Sequence, residues 1–304
     1  MSVKLTILGC NSATPRVNAY PTAQLLEIKN HYFLIDCGEG TQVQLRKYHV
    51  KFSKIKNIFI SHLHGDHFFG LVGLVSTFRL LNRNSELHIY GPKGLKEIIT
   101  LQLKLSNSWT NYPLIFHELS SDKSELIFDD EKVEVYTIPL KHRIYTNGFI
   151  FREKLGERKL NMSEISKYKE IEICDYQNLK NGRDFKLENG EIIKNKALTL
   201  NPPKPKSYAY CSDTAYFPDI IPIIKNVDCL YHETTFLSDR EVLATKTQHS
   251  TALQAAKIAE KANVNKLIIG HYSGRYKNKE AFLLEAKQIF KNTFLAAEGE
   301  VFKF

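Results

Sequence analysis

Six consecutive residues constrain this chain more than any other feature. His62-Leu63-His64-Gly65-Asp66-His67 places three imidazoles and a carboxylate in one short segment of a chain with 11 histidines in 304 residues, a density far from chance. It follows Asn57-Ile58-Phe59-Ile60-Ser61, an apolar run that reads as a buried strand, so the segment is expected to be a loop at a strand's carboxyl end. Open α/β sheets carry their sites there. Zinc takes neutral imidazole nitrogen and carboxylate oxygen in a near-tetrahedral shell. The pairs His62/His64 and Asp66/His67 each begin such a shell and neither completes one, so the pattern requires partners further along the chain. Gly65 is expected to give the tight turn that aims both pairs into one cavity.

Strand-end polar residues recur throughout the sequence. Val3 to Leu8 reads as a strand, and Ala23 to Ile28 with His31 to Ile35 reads as a hairpin through Lys29-Asn30. The hairpin runs into Asp36-Cys37-Gly38-Glu39-Gly40-Thr41-Gln42 and a helix to about Tyr48. Asp36 suits either an acceptor behind a ligating imidazole or a turn residue. Helical spacing covers Phe68 to Leu81 and Gly94 to Leu105, with a strand at Leu87 to Tyr90 between them. Strands at Leu114 to Leu119 and Lys132 to Leu140 follow, the second ending at His142. Further strand ends deliver Asp213, His232-Glu233 and His271. Thr251 and Gln254 are spaced as a capping box for a helix over Ala252 to Ala262. Strands alternating with helices of this length indicate an α/β architecture.

Between Phe151 and Lys206 the character changes. This stretch holds 13 Lys/Arg against 9 Asp/Glu, a net +4 that is nearly half of the chain's +9, and it ends in Asn-Pro-Pro-Lys-Pro-Lys. It reads as an inserted basic arm, residues 152–206, within one domain spanning 1–304. An isoelectric point near 9.1 fits a polyanionic partner. No apolar run reaches membrane-spanning length, and the opening residues read as a strand rather than a signal peptide. The five cysteines are scattered and never arranged as CxxC. A cytoplasmic protein with no membrane association is expected.

Taken together, Asp-x-Gly-Glu-Gly-Thr-Gln at 36–42, the His-x-His-x-Asp-His segment, His142, Ser-Asp-Thr at 212–214, His-Glu-x-Thr at 232–235, His-Ser-Thr at 249–251 and His271 resemble the ribonuclease Z family, metallo-β-lactamase-fold endonucleases that process tRNA 3′ ends. The resemblance runs from Val3 to the end of the chain. It implies a four-layer αβ/βα sandwich with two Zn2+ per subunit. His62, His64, His142 and Asp213 would hold one ion; Asp66, His67, His271 and a bridging Asp213 would hold the other. Two such ions roughly 3.5–4 Å apart lower the pKa of a shared water and clamp the attacking and leaving oxygens of a phosphodiester.

The implied reaction is cleavage of precursor tRNA on the 3′ side of the discriminator nucleotide, leaving a tRNA 3′-hydroxyl. Asp66 is expected to accept the water's proton, and His249, oriented by Glu233, to protonate the leaving oxygen. The hydroxyls of Ser250 and Thr251 are candidates for holding phosphate. The arm would grip the tRNA, and the family precedent is a homodimer. Two rivals stand beside this reading. One is a two-zinc phosphodiesterase for small cyclic or phosphonate diesters, which would need no basic arm. The other is a tRNA-binding protein with a structural metal and no turnover, which would need no unligated His249.

Overall fold

The structure, a computed structural model, describes residues 3–304. The chain divides into two compact units, a body made of the residues up to Arg152 and Lys206–Phe304, and an insertion, Glu153–Pro205.

Two seven-stranded sheets form the body. The first runs, in spatial order, Val301–Lys303, Lys4–Gly9, Ala23–Ile28, His31–Ile35, Ile55–Phe59, Leu87–Pro92 and Leu114–Leu119. Its first three pairings are antiparallel; from His31–Ile35 onward they are parallel. The second runs Thr293–Leu295, Leu267–Gly270, Cys229–Glu233, Ser207–Cys211, Asn147–Glu153, Val133–Pro139 and Leu126–Asp129. The two-residue link Lys29-Asn30 has φ of 47° and 72°, the left-handed pair that a tight hairpin with right-handed strand twist demands.

Strand alternation builds the layers. Phe33 and Ile35 point between the sheets while Leu34 points outward to the helices. Between the sheets, Phe33 and Phe59 meet Phe151 at ring separations of 5.4 and 5.3 Å, and Phe149 packs on Phe59 at 5.4 Å. Each fully buried ring contributes about 2–3 kcal/mol by leaving water. Outside the first sheet, Leu71, Leu74, Leu95 and Ile99 of the helices Leu71–Leu80 and Leu95–Leu105 cover Leu34, Ile58 and Ile89. Ala252–Lys261 and Glu280–Lys287 flank the second sheet and bury Ala255, Ala256, Ala259 and Phe282. The order is helix, sheet, sheet, helix. At the start of Ala252–Lys261 the Thr251 hydroxyl accepts from Gln254 N and the Gln254 side chain accepts from Thr251 N, the reciprocal cap that the spacing indicates.

Several elements depart from the sequence pattern. The helix expected from Phe68 begins at Leu71, and a single turn, Gly65–Phe68, occupies part of the expected loop. Asn147–Glu153 is a central strand of the second sheet that carries no alternation, because all but one of its residues are buried. None of the described helices is long and apolar enough to cross a membrane.

The insertion has its own small core of Ile165, Ile171, Leu179, Leu187, Ile193 and Leu198. Two short strand pairs, Lys159–Leu160 with Thr199–Leu200 and Phe185–Lys186 with Ile192–Ile193, frame it. The Asn195 side chain donates to Leu179 O and Arg183 O and ties its helices to its loops.

Candidate metal centre

The carboxyl ends of strands from both sheets converge. Ile55–Phe59 of the first sheet leads to His62, His64, Asp66 and His67. Val133–Pro139, Ser207–Cys211 and Leu267–Gly270 of the second lead to His142, Asp213 and His271. One ligand atom from each of His62, His64, His142 and Asp213 lies within 4.8 Å of all the others, and Asp66, His67 and His271 form a second group on the same criterion.

Asp213 stands between the two groups. Its Oδ2 lies 3.6 Å from His62 Nε2 and 3.9 Å from His142 Nε2, while its Oδ1 lies 3.4 Å from His67 Nε2 and 3.2 Å from His271 Nε2. Asp66 Oδ2 adds contacts of 3.5 Å to His67 Nε2 and 3.3 Å to His271 Nε2. A carboxylate has two oxygens to offer in two directions, which no neutral imidazole has.

The histidines are held from behind. His142 Nδ1 donates to Gln248 O at 2.8 Å, and His67 Nδ1 donates to Asp36 Oδ2 at 2.7 Å. The Thr235 hydroxyl spends its proton on Glu233 Oε2 at 2.8 Å and so accepts from His271 Nδ1 at 2.8 Å. His62 Nδ1 lies 3.0 Å from Ser61 Oγ. In each ring Nε2 is thereby the nitrogen left facing inward. His64 presents Nδ1 instead, 3.1 Å from His62 Nε2 and 3.2 Å from His142 Nε2.

Metal ions fit this donor set. His67 Nε2 and Asp213 Oδ1 are buried without any hydrogen-bond partner, which is costly unless something else satisfies them. Burial holds His62 well below its ordinary pKa and lowers His64 and His142, so these three are neutral, as ligands must be. Burial opposes charge on His67 as well, yet Asp213, Asp66 and Asp36 overcome it and raise this ring well above the usual range. Burial likewise works against the charges of Asp66 and Asp213, and the surrounding imidazoles still hold both carboxyls low. The pocket is thus arranged for positive charge.

Asp36 has no solvent exposure and accepts four hydrogen bonds, from Ser61 N at 2.7 Å, Ser61 Oγ at 2.9 Å, His67 Nδ1 and Tyr210 OH at 2.5 Å. Of its two sequence readings, the acceptor behind an imidazole describes its contacts. Its φ of 54°, and the 63° of His271, put both strand-end residues in the left-handed region. The close approach behind them explains a glycine: a Cβ on Gly38 would lie 2.5 Å from Asp66 O.

His249 also converges on Asp213 and His271, but its Nδ1 lies 2.9 Å from Glu233 Oε1. That nitrogen is engaged as a donor to Glu233. Burial disfavours a charged His249; Glu233 and then Asp213 outweigh it and hold the ring up at about 9. Glu233 is buried within the strand Cys229–Glu233, and His249 in turn draws its carboxyl down against burial. A cavity of about 360 Å³ opens over the centre, lined by His64, Asp66, Asp213, His249 and His271 with Arg143 and Arg275 at its edge.

Three expectations need correction. Gly65 has no left-handed backbone; the Phe69 ring lies over it, 2.2 Å from where a Cβ would be. Ser250 and Thr251 do not present free hydroxyls, since Ser250 Oγ donates to Thr214 O at 2.7 Å and Thr251 caps its helix. His232 lies within its strand, its Nδ1 2.7 Å from Glu233 O, and takes no part in the centre. Ser61 and Tyr210 are partners that the sequence reading does not single out, and Thr235 enters it only as the last residue of the His-Glu-x-Thr motif. Only the period-two spacing of Tyr210 and Ser212, which puts both beside Asp36 and Ser61, hints at them.

The family model described as anti-Pycsar protein Apyc1 matches residues 3–294. A Cytophaga hutchinsonii protein named ribonuclease Z is 50% identical over 306 residues, 99% of this chain and 96% of that protein. One of the same name from Bacteroides fragilis is 45% identical over 296 residues, 97% of each chain. Among solved structures, the short form of human tRNase Z superposes with a TM-score of 0.71 at 26% identity over 98% of both chains. The metallo-β-lactamase-fold protein YhfI of Bacillus subtilis does so with 0.69 at 19% identity over 100% of both, a likeness of fold. The chain belongs to the ribonuclease Z family, of the metallo-β-lactamase fold, and to the family that the Apyc1 model describes.

Proposed function

We propose that this protein is a zinc-dependent endoribonuclease that hydrolyses precursor tRNA on the 3′ side of the discriminator nucleotide, releasing the trailer and leaving a tRNA 3′-hydroxyl. The observation that carries the reading is the pair of ligand groups with Asp213 between them, in a chain so similar to proteins named ribonuclease Z. His62, His64, His142 and Asp213 would hold one zinc ion, and Asp66, His67, His271 and Asp213 the other. Bound there, the two ions would activate water as the nucleophile and stabilise the charge that gathers on the phosphate.

The chain's own groups supply the rest. Asp66, held ionised by His67 and His271, is the proton acceptor. Glu233 places His249 and favours its protonated form, so this ring can protonate the leaving oxygen. Arg143 and Arg275 border the cavity and draw the phosphate backbone toward it. Asp36 keeps His67 in the tautomer that presents Nε2.

The unit Glu153–Pro205 serves as the tRNA-gripping arm, supported by the net +4 of residues 151–206. A homodimer is supported by the exposed leucines of two helices of the body, Leu80 on one and Leu101 and Leu105 a turn apart on the other, since exposed apolar side chains favour a partner. Five free cysteines, four of them buried, fit the reducing cytoplasm.

The test is to map the cut on precursor tRNAs with and without an encoded CCA, using the zinc-loaded protein and one lacking residues 153–205. Cleavage after the discriminator by the full chain, collapsing on deletion while a small chromogenic diester is still hydrolysed, supports the reading. Uncut tRNA beside rapid turnover of a small cyclic diester would replace it with the phosphodiesterase rival.

A further inference from the structure

From Gly40 to Gly65 the chain carries no carboxylate, yet Arg46, Lys47, Lys51, Lys54 and Lys56 fall within eleven residues of that span. The fold gathers part of this run around a groove on the body. The helix Thr41–Lys47 starts beside Gly38 and Gly40, near the metal centre, and ends in the run; the strand His31–Ile35 leads from the groove toward Asp36. Tyr32, in the groove, and Asp36, behind His67, are four residues apart on an extended backbone, about 13 Å. The groove is therefore a site apart from the metals.

It encloses about 470 Å³ and is lined by Lys47, Lys51, Lys54, Tyr32 and Tyr48, with Lys4 beside Glu27. Glu27 is the only carboxylate in the lining, and it is taken by Lys4 Nζ at 2.6 Å. Lys47, Lys51 and Lys54 are exposed and make no ion pair among the described residues. Two of the three are held over aromatic rings. Lys54 Nζ sits 4.8 Å over the Tyr32 ring and Lys47 Nζ 5.3 Å over the Tyr48 ring, while Arg46 beside the groove lies 5.1 Å over Phe52. Cations laid on aromatic faces are prepositioned and lose less freedom on meeting an anion. With those ring faces covered by ammonium groups, the tyrosines organise charge and do not offer stacking platforms for bases.

We propose that this groove binds the phosphate backbone of RNA without reading its sequence, as a third contact for the substrate besides the metal centre and the insertion. An acidic protein surface would offer point carboxylates, whereas a backbone offers a row of evenly spaced anions to match three lysines along one groove. The inference rests on the reading of the chain as an RNA-cleaving enzyme, and its test separates the two.

The experiment compares the zinc-loaded wild type with a Lys47→Glu, Lys51→Glu, Lys54→Glu variant and with the corresponding triple arginine variant. Binding of precursor tRNA is followed against salt, alongside hydrolysis of bis-p-nitrophenyl phosphate. Each phosphate contact contributes roughly 0.7–0.9 to the slope of log K against log salt, so the glutamate variant should lose about 2–3 from that slope and at least about tenfold in affinity at low salt. The arginine variant should keep both, and all three proteins should hydrolyse the small diester equally. A wild type that binds and cuts precursor tRNA, with slope and affinity unchanged in the glutamate variant, overturns the groove alone. A wild type that neither binds nor cuts it overturns the enzyme reading and the groove with it. An equal fall in small-diester hydrolysis in the glutamate variant would place the effect in the metal centre and overturn the proposal.

Discussion

Replacing Asp36 by Asn should uncouple His67 from its support while leaving side-chain size unchanged. In the native protein Asp36 Oδ1 accepts from Ser61 N, and Oδ2 accepts from Ser61 Oγ, His67 Nδ1 and Tyr210 OH. An asparagine can keep the first contact, but it turns an NH2 group toward the other three. The two hydroxyls can rotate and accept. The imidazole can respond only by leaving Nδ1–H unpaired, or by moving its proton to Nε2, where a metal needs the lone pair. Each lost hydrogen bond to a charged group costs about 1.5–3 kcal/mol, so metal-free Asp36→Asn protein should be destabilised by about 3 kcal/mol, allowing for hydroxyl rotation. Support lost behind a ligating histidine typically weakens metal binding by about 10–100-fold, which corresponds to about 1.4–2.8 kcal/mol. Competition with a chromogenic chelator measures the affinity and urea unfolding of the metal-free protein measures the stability. Tyr210→Phe, which removes one donor and leaves the carboxylate, should cost about 1 kcal/mol and change metal affinity only a few-fold. Zinc affinity within twofold of wild type in Asp36→Asn would refute the argument that this carboxylate sets the His67 tautomer.

Chelation should abolish cleavage and added zinc should restore it; His142→Ala should lower bound zinc from about two toward one per chain by elemental analysis, because it empties one group and leaves Asp66, His67 and His271 whole. Glu233 raises the His249 pKa, so the protonated ring persists through neutral pH and is lost as pH rises toward 9; bound cations act in the opposite direction. The rate of tRNA cleavage should therefore fall on the alkaline side, and His249→Asn should be slow at every pH with that limb missing from its profile. Phe33→Ala removes a fully buried ring surrounded by Phe59, Phe128 and Phe151 and should cost about 3–5 kcal/mol in urea unfolding of the metal-free protein.

The histidine-bearing strand ends are legible in sequence because two local signals coincide there, an apolar run that stops and a polar residue that cannot belong to it. That is how His62, His142 and His271 stand out, and the fold brings all three together. Gly65 misleads for a related reason: a glycine beside ligands suggests a left-handed turn, whereas here it opens the helical turn Gly65–Phe68 with the Phe69 ring packed over it. Asn147–Glu153 hides because a strand buried on both faces has no period to show. Ser250 and Thr251 look available until the fold supplies Thr214 O and Gln254 N to occupy them. What a side chain is able to bind is written locally; whether it is free to do so is decided by residues far away in the chain.

The ligand groups draw on both sheets, and this gives the centre a mechanical meaning. His62 and His64 hang from the first sheet, His142 and Asp213 from the second, and the other group is divided in the same way. Any ion held by such a group is a rivet through the sandwich, fastening two layers that elsewhere meet through apolar packing such as that of Phe33 on Phe151 and through bonds such as Tyr210 OH to Asp36. Stripping the ions should therefore loosen backbone amides at the ligand-bearing ends of both sheets in step, while those at the far ends, pinned by the core, keep their protection from exchange.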